Sequence, residues 1–298
     1  MLKAEVFDEG FWQILDQSQP LKRLYDHFCF TEGPIWNPKE KHLTFSDIIC
    51  NTIYRHSEKG LSVFRRPSYM ANGNSHDLAG HILSCEHATS RISRSLVDGT
   101  GYEVLVSHFE GKALNSPNDI IVKSNGDIYF TDPTSGRSAM YGVPREPELS
   151  FAGVYRFRPS SRQLELLIDD FSKPNGLCFS LDEKYLFVND TDKQHIRRFE
   201  LAEDGLLKEG EIWANTQGEL AGVPDGMKFD NAGHLFCTGP GGIHVFNDEA
   251  KCLGIILMPE KTANFCWGDE DMKSLYITAS SSLYRLRTYT AGKSLYWN

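Results

Sequence analysis

No stretch of the 298-residue sequence approaches the ~18 consecutive apolar residues that a membrane-spanning helix needs. The first residues carry Glu5, Asp8 and Glu9 and contain no apolar run long enough for a signal peptide. Positive charge is also scarce, because 31 Lys and Arg face 40 Asp and Glu. The sequence therefore predicts a cytoplasmic protein that has no membrane anchor and is poorly suited to binding nucleic acid.

Several short motifs with known chemistry are absent. The seven cysteines are scattered and form no CxxC pair, which excludes the spacing of a zinc knuckle or a thioredoxin-type site. Neither a GxSxG nucleophile motif nor a Walker phosphate loop is present. We expect reduced, buried thiols that behave as small hydrophobic side chains.

A repeated pattern is the most informative feature of the chain. Six β-rich segments align with one another: HLTFSD (42–47), HILSCE (81–86), DIYFTD (127–132), YLFVND (185–190), HLFCTG (234–239) and SLYITA (274–279). A second apolar run follows each segment, a third precedes it, and a weaker fourth run follows in several copies.

Four strands in each of six copies of about 45 residues predict an all-β, six-bladed β-propeller. A βαβ fold would need amphipathic helices between its strands, and the sequence shows none there. We expect one domain over residues 1–298, with residues 21–28 supplying an outer strand that closes the last blade.

Oxygen-bearing side chains recur at the position just before each innermost strand, where the propeller places them around the central channel. The six residues are Glu32, Asn74, Asn118, Asn175, Asp225 and Asn264. Capping of turns by Asn and Asp is the simpler explanation, and it accounts well for one or two of them. All six together indicate a site for a hard cation such as calcium, which prefers oxygen ligands, whereas zinc prefers imidazole or thiolate. The sequence thus predicts a metal-binding channel.

Six motifs, in order along the chain, carry a resemblance to a known family. They are TEGPIW (31–36), CEHATSRISR (85–94), SPNDIIV (116–122), IYFTDPTSG (128–136), KPNGLCFS (173–180) and GVPDGMKFD (222–230). From about residue 28 to 287 the chain resembles the SMP-30/gluconolactonase/luciferin-regenerating enzyme family, and its bacterial gluconolactonase branch in particular. That family is built on a six-bladed propeller, in agreement with the repeat.

The resemblance implies a function and a set of site residues. Glu32, Asn175 and Asp225 would hold one divalent metal ion, with calcium first and zinc, magnesium or manganese as alternatives. Asp225 would also be the catalytic general base in the hydrolysis of a sugar lactone. The chain departs from related sequences at Ala113 and Ser135, where a basic and an aromatic residue are common. These departures concern the choice of lactone.

Further residues are candidates for contact with the substrate. The predicted substrate-binding set is Asn118, Asn74, Asn264, Glu86, His87, Asp132 and Tyr141. Tyr141 lies in the segment 137–153, the longest interruption of the repeat, which we expect to cover the channel mouth. For His87 a purely structural role is the alternative, and for Glu86 and Asp132 it is hydrogen bonding between blades and turns.

Two other functions remain open from the residues alone. A related propeller architecture places a similar set of oxygen donors around calcium, which would suit hydrolysis of organophosphate-type esters. A propeller can also bind calcium or a partner without catalysis. The chemical role of Asp225 has two versions as well: it acts as a general base on water, or as a nucleophile that forms an acyl-enzyme. The sequence indicates neither the natural lactone nor the oligomeric state.

Overall fold

A computed structural model describes residues 2–293, and it places six antiparallel sheets in a ring around a central channel. Each sheet is one blade, and its first strand lines the channel. These inner strands are Thr31–Asn37, Ala71–His76, Ile120–Val122, Pro174–Phe179, Met227–Phe229 and Thr262–Gly268. The predicted six-bladed β-propeller is therefore confirmed.

The remaining strands of each blade follow outward from the channel in chain order. The second strands are His42–Asp47, Ile82–Glu86, Ile128–Asp132, Tyr185–Asp190, Leu235–Gly239 and Ser274–Ala279. The third strands are Thr52–Ser57, Arg91–Ser95, Ala152–Arg158, His195–Glu200, Gly242–Phe246 and Ser282–Arg287. The fourth strands of the first five blades are Gly60–Arg65, Glu103–Val106, Gln163–Phe171, Glu211–Asn215 and Cys252–Leu257.

Residues from the start of the chain complete the last two blades. Ala4–Val6 pairs with Cys252–Leu257 as a fifth strand of blade five. Lys22–Tyr25 pairs with Ser282–Arg287 as the outer strand of blade six, which confirms the closure predicted for residues 21–28. The ring closes between blades six and one, where the amide of Thr31 donates to the carbonyl of Ser280 at 2.8 Å.

Little of the described chain lies outside the blades in regular structure. Two 3₁₀ helices cover Glu9–Gln13 and Ser135–Arg137, and a small hairpin joins His108–Phe109 to Lys112–Ala113. The side chain of Asp8 caps the first 3₁₀ helix by accepting the amide of Gly10. Within residues 2–293 there is no helix long and apolar enough to cross a membrane.

The core lies between adjacent blades, because each sheet packs a neighbour on both of its faces. Second strands are therefore buried along their whole length, as His42–Asp47 shows. Aromatic side chains fill the gaps between and within blades, including the stacked pair Phe130 and Tyr155, whose ring centroids are 5.3 Å apart. Burial on both faces explains why polar side chains of these strands, such as Thr44 and Ser46, are as deeply buried as the apolar ones.

The expectation that all seven cysteines are reduced is wrong for two of them. Cys29 and Cys50 form a disulfide, and their Cα atoms are 5.7 Å apart. It joins the segment leading into the first inner strand to the turn after the second strand. The two residues are 21 positions apart, so no short sequence motif marks the pair.

Candidate active site

The register of the inner strands determines which residues reach the channel mouth. In blades one, two and four, the last residue of the second strand pairs with Thr31, Ala71 and Pro174 respectively. The strand bulges just beyond each of these pairs. The residue directly after Thr31, Ala71 or Pro174 turns its side chain into the channel mouth. Those next residues are Glu32, Asn72 and Asn175.

A cavity of about 340 Å³ lies at this end of the channel. Four of the six predicted oxygen donors line it, namely Glu32, Asn118, Asn175 and Asp225. His87 and Tyr141 line it too. Tyr141 brings part of the segment 137–153 to the cavity, on the side where the sequence placed it. The remaining predicted residues lie elsewhere.

Asn74 and Asn264 lie deeper in the channel, which corrects their predicted place at the mouth. The strand register explains the error, because Asn74 lies two residues beyond Asn72 and Asn264 lies one residue beyond Ala263, the residues that directly follow the first pairing positions. Asn74 donates to the carbonyls of Gly33 and Asn72 and to the hydroxyl of Ser46. Its hydrogen-bonding capacity is used within the protein, so it does not act as a substrate contact.

Glu86 and Asp132 are also misplaced by the sequence argument, since neither lines the cavity. Glu86 is fully buried beside Arg91, whose Nε lies 2.7 Å from Oε2, and it accepts the hydroxyl of Ser93 at 2.6 Å. Asp132 accepts the backbone amides of Asn115 and Ser116, each at 2.8 Å. Both carboxylates are fully engaged by protein groups.

Three acidic residues clamp the chain just before the cavity residues. Each ends a second strand and accepts two consecutive backbone amides that lie three and two residues before a cavity residue. Asp47 accepts from residues 29 and 30, Asp132 from 115 and 116, and Asp190 from 172 and 173. The clamped segments lead into Glu32, Asn118 and Asn175. These acids therefore act as positioning residues for the site.

The site concentrates negative charge away from water. Burial, reinforced by the negative charge of Asp119, raises the pKa of Glu32 to about 7. Burial also raises the pKa of Asp225 well above its ordinary value, and the charges of Glu32 and Asp119 add to the effect. Asp119 itself is buried, and burial raises its pKa as well. Three carboxyl groups close together need a cation or protons between them.

One internal cation reaches this cluster from the other side. Lys228 lines a second cavity of about 200 Å³, bounded mainly by apolar side chains from the far ends of the inner strands. Its Nζ donates to Oδ1 of Asn264 at 2.9 Å, and Nδ2 of Asn264 donates to Oε2 of Glu32 at 3.1 Å. The positive charge of Lys228 lowers the pKa of both Glu32 and Asp119 against the effect of burial.

The donor set fits a hard divalent cation. Asn175 uses its Nδ2 to donate to the hydroxyl of Thr191 at 3.0 Å. Its Oδ1 is buried and has no hydrogen-bond partner anywhere in residues 2–293. Thr191 in turn donates to the carbonyl of Pro224 at 2.9 Å, which ties Asn175 to the segment carrying Asp225. An unpaired carboxamide oxygen beside two carboxylates matches the ligand preference of calcium.

Sequence reasoning missed other residues around the cavity. Asn72 occupies the mouth position in blade two, and the pairing of Ala71 with Glu86 is the signal that identifies it. Lys173 and Lys261 line the cavity as well, and the positive charge of Lys261 lowers the pKa of Asp225. These lysines and the ring of Tyr141 place basic and aromatic side chains at the cavity, although Ala113 and Ser135 stand where related sequences often have such residues.

Comparison with known proteins adds to this geometry. Residues 30–281 match the family model described as SMP-30/Gluconolactonase/LRE-like region. A gluconolactonase of Zymomonas mobilis is 33% identical, over 97% of this chain and 87% of that protein. A pentonolactonase of Haloferax volcanii is 27% identical, over 87% of this chain and 84% of that protein.

A solved structure shows the same architecture. The structure of a gluconolactonase of Xanthomonas campestris superposes with a TM-score of 0.88 at 33% sequence identity. The match covers 96% of this chain and 94% of that one. The likeness therefore extends through all six blades and includes the strands that present the cavity residues.

Proposed function

The chain belongs to the SMP-30/gluconolactonase/LRE-like family, and we propose that it is a divalent-metal-dependent lactonase that hydrolyses a sugar lactone to the aldonic acid. The observation that carries the proposal is the convergence of Glu32, Asn175 and Asp225 in one buried acidic cavity, with Oδ1 of Asn175 left unpaired. The names of the two lactonase relatives support the reaction class.

We propose calcium as the metal, held by Glu32, Asn175 and Asp225. All three offer oxygen, and two carboxylates balance a divalent charge. His87 is the one imidazole that lines the cavity within the described residues, and both of its nitrogens lie within hydrogen-bond distance of protein groups. When bound, a divalent cation polarises the lactone carbonyl and stabilises negative charge on its oxygen.

The protein's own groups supply the rest of the chemistry. The Asp225 carboxylate accepts the proton of the attacking water and passes it to the ring oxygen as the C–O bond of the lactone breaks. The segment of Asp225 is fixed by Nδ2 of Asn189, which donates to its carbonyl at 2.5 Å. Asn118 orients the substrate, and the rings of Phe30 and Tyr141, 5.1 Å apart, form an apolar wall.

Asp225 as a nucleophile is the alternative version of the mechanism. Attack of the Asp225 carboxylate on the lactone carbonyl breaks the ring C–O bond and gives a mixed anhydride. Attack of water on the Asp225 carbonyl of that anhydride then leaves one Asp225 oxygen in the product. A single turnover in ¹⁸O-labelled water separates the two versions, because direct attack by water places the label in the product at once.

Chelation followed by metal add-back tests the proposed function. Purified protein is stripped of metal and assayed with a panel of sugar lactones and phosphotriesters. We expect lactone hydrolysis to disappear and to return with calcium. Phosphotriester hydrolysis without lactone hydrolysis would indicate the organophosphate alternative. Calcium binding without turnover of any substrate would indicate a non-catalytic propeller.

A further inference from the structure

Asn72 lines the cavity beside the proposed metal-binding residues, yet the proposed mechanism gives it no task. Its side chain is only 4% exposed. Its backbone carbonyl accepts hydrogen bonds from the hydroxyl of Ser46 at 2.8 Å and from Nδ2 of Asn74 at 3.1 Å. These hydrogen bonds hold the backbone of Asn72 between blades one and two. The position from which its side chain extends is therefore fixed.

The neighbouring imidazole has a defined proton position. Nδ1 of His87 lies 2.9 Å from the carbonyl oxygen of Tyr141. A carbonyl oxygen can only accept, so Nδ1 carries the proton. Burial lowers the pKa of His87 to about 4, which keeps the ring neutral at physiological pH. Nε2 of His87 is consequently an acceptor.

The proton position of His87 fixes the orientation of the Asn72 amide. Nδ2 of Asn72 lies 3.1 Å from Nε2 of His87 and donates to it. The flipped amide would set two acceptors against each other. Oδ1 of Asn72 therefore points away from His87. It is buried and receives no hydrogen bond from any part of the described chain. A buried acceptor left in this state costs about 1–3 kcal/mol.

The position of His87 is itself enforced by its surroundings. Nη2 of Arg145 donates to the carbonyl of His87 at 2.7 Å. Gly136 packs so closely on the ring that an added Cβ would lie 2.4 Å from Cγ of His87. The segment that contains Tyr141 and Arg145 thus holds His87, and His87 in turn holds the amide of Asn72.

We propose that Oδ1 of Asn72 accepts a hydrogen bond from a hydroxyl group on the lactone ring, which makes Asn72 a specificity-determining residue for hydroxylated lactones. The inference rests on the proposed lactonase function and refines its substrate class. A lactone without ring hydroxyls leaves the buried oxygen unpaired, whereas a sugar lactone satisfies it. Sites of this kind reject the analogue that lacks the hydrogen-bonding group.

Substrate discrimination tests the inference. The ratio of kcat/KM for glucono-δ-lactone over δ-valerolactone, which has the same ring without hydroxyls, is measured with calcium present. We expect Asn72→Ala to lower this ratio by about 10- to 100-fold. Asn72→Gln keeps a carboxamide, with a donor for His87 and an acceptor oxygen, and should retain more of the ratio. Asn125→Ala, in an exposed turn, is the matched truncation control and should leave the ratio unchanged.

Binding measurements separate failure of the inference from failure of the proposed function. Calorimetry compares gluconate with hexanoate, two six-carbon carboxylates of which only the first has hydroxyls. Weaker gluconate binding by Asn72→Ala, with hexanoate unaffected, supports the inference even if the wild type hydrolyses no lactone.

Two results would overturn it. One is an Asn72→Ala variant that is folded and behaves like the wild type, either in gluconate binding or in the ratio of kcat/KM for the two lactones. The other is a loss of more than about tenfold in calcium affinity in Asn72→Ala, which would make Asn72 a metal ligand. Circular dichroism checks that each variant is folded, and Asn72→Ser, which also removes the carboxamide, serves as the working variant if Asn72→Ala is not.

Discussion

Lys228 and Asn264 form a hydrogen bond of 2.9 Å in the middle of the channel, between the acidic cavity and the apolar one. Through Asn264 the bond reaches Glu32. Three carboxylates, one lysine and one divalent cation together sum to zero charge. In the proposed metal site, Lys228 would balance the carboxylate that a divalent metal leaves uncompensated, from outside the cavity that holds the proposed ligands.

Removal of Lys228 should expose this balance. We expect Lys228→Met to lower the free energy of unfolding of the metal-free protein at pH 8 by up to about 3 kcal/mol, because it leaves buried carboxylates uncompensated. Added calcium should then stabilise the variant more than the wild type. Urea unfolding with chelator and with calcium measures both effects.

An exposed lysine is the matched control for this change. Lys41→Met removes a surface cation that pairs with exposed Glu270 and should change stability by less than about 1 kcal/mol. If Lys228→Met unfolds like Lys41→Met in chelator, then Lys228 does not compensate the cluster.

The disulfide Cys29–Cys50 should stabilise the entry to the first inner strand. The pair is 21 residues apart, and a loop near that size corresponds to about 3 kcal/mol from restriction of the unfolded chain. We expect Cys29→Ser/Cys50→Ser to lower stability by that order. A reducing agent should have the same effect on the wild type.

The measurement for the disulfide is urea unfolding with and without dithiothreitol. Cys252→Ser, which changes an unpaired cysteine in an outer strand, is the control and should keep the response to reductant. Identical unfolding of oxidised and reduced wild type would show that the disulfide contributes nothing.

The sequence predicted the six-bladed fold because each blade repeats the same local signals, although it did not predict Ala4–Val6 as a fifth strand of blade five. Alternating runs, turn residues and a constant period sufficed to count six blades. The closing role of residues 21–28 followed from the need to complete the last blade. The Cys29–Cys50 pair could not be predicted, because it depends on two segments that meet only after the blade forms.

The cavity was predicted only in part, and the reason lies in strand register. Glu32, Asn118, Asn175 and Asp225 lie at the mouth, but in blade two the mouth position is Asn72, two residues before the predicted Asn74. Asn74 was therefore selected in place of Asn72, although both are asparagines. An alignment of the six repeats by sequence does not show where a strand bulges. The pairing with the last residue of the second strand does identify the residue that reaches the channel mouth.

The stability of the metal-free protein should depend on pH through Glu32. Its pKa is raised from the ordinary 4.5 to about 7 in the folded protein. The folded state thus holds this proton more tightly than the unfolded state does. Its stabilising contribution is complete below pH 4.5 and is lost as the pH rises through 7, at a cost of about 3 kcal/mol.

Urea unfolding in chelator at pH 5 and pH 8 measures this dependence. Glu32→Gln carries no titratable group and should lose less stability over the interval than the wild type. Burial also raises the pKa of Asp132, to about 7, and the pKa values of Asp119 and Asp225, so these groups contribute a decline of the same sign in both proteins. Equal declines in wild type and variant would show that Glu32 does not titrate in this range.

Asp225 combines two proposed roles that substitution can separate. Asp225→Asn keeps an oxygen for the metal and nearly the same shape, but it removes one negative charge and the basic oxygen. If Asp225 is the general base, lactone turnover at saturating calcium should fall by roughly 10²–10⁴-fold, while part of the calcium affinity survives. Asp225→Ala should lose both. Initial rates and calorimetry report the two properties independently.

Asn175→Asp is the informative control, because it adds charge to the cation site without replacing the missing base. It should bind calcium more tightly than the wild type, and in combination with Asp225→Asn it should restore calcium affinity but not turnover. Near wild-type turnover by calcium-saturated Asp225→Asn would leave Asp225 as a ligand only. The base would then have to be Glu32, since Asp132 and Asp190 are engaged with backbone amides and Nε2 of His87 already accepts from Asn72.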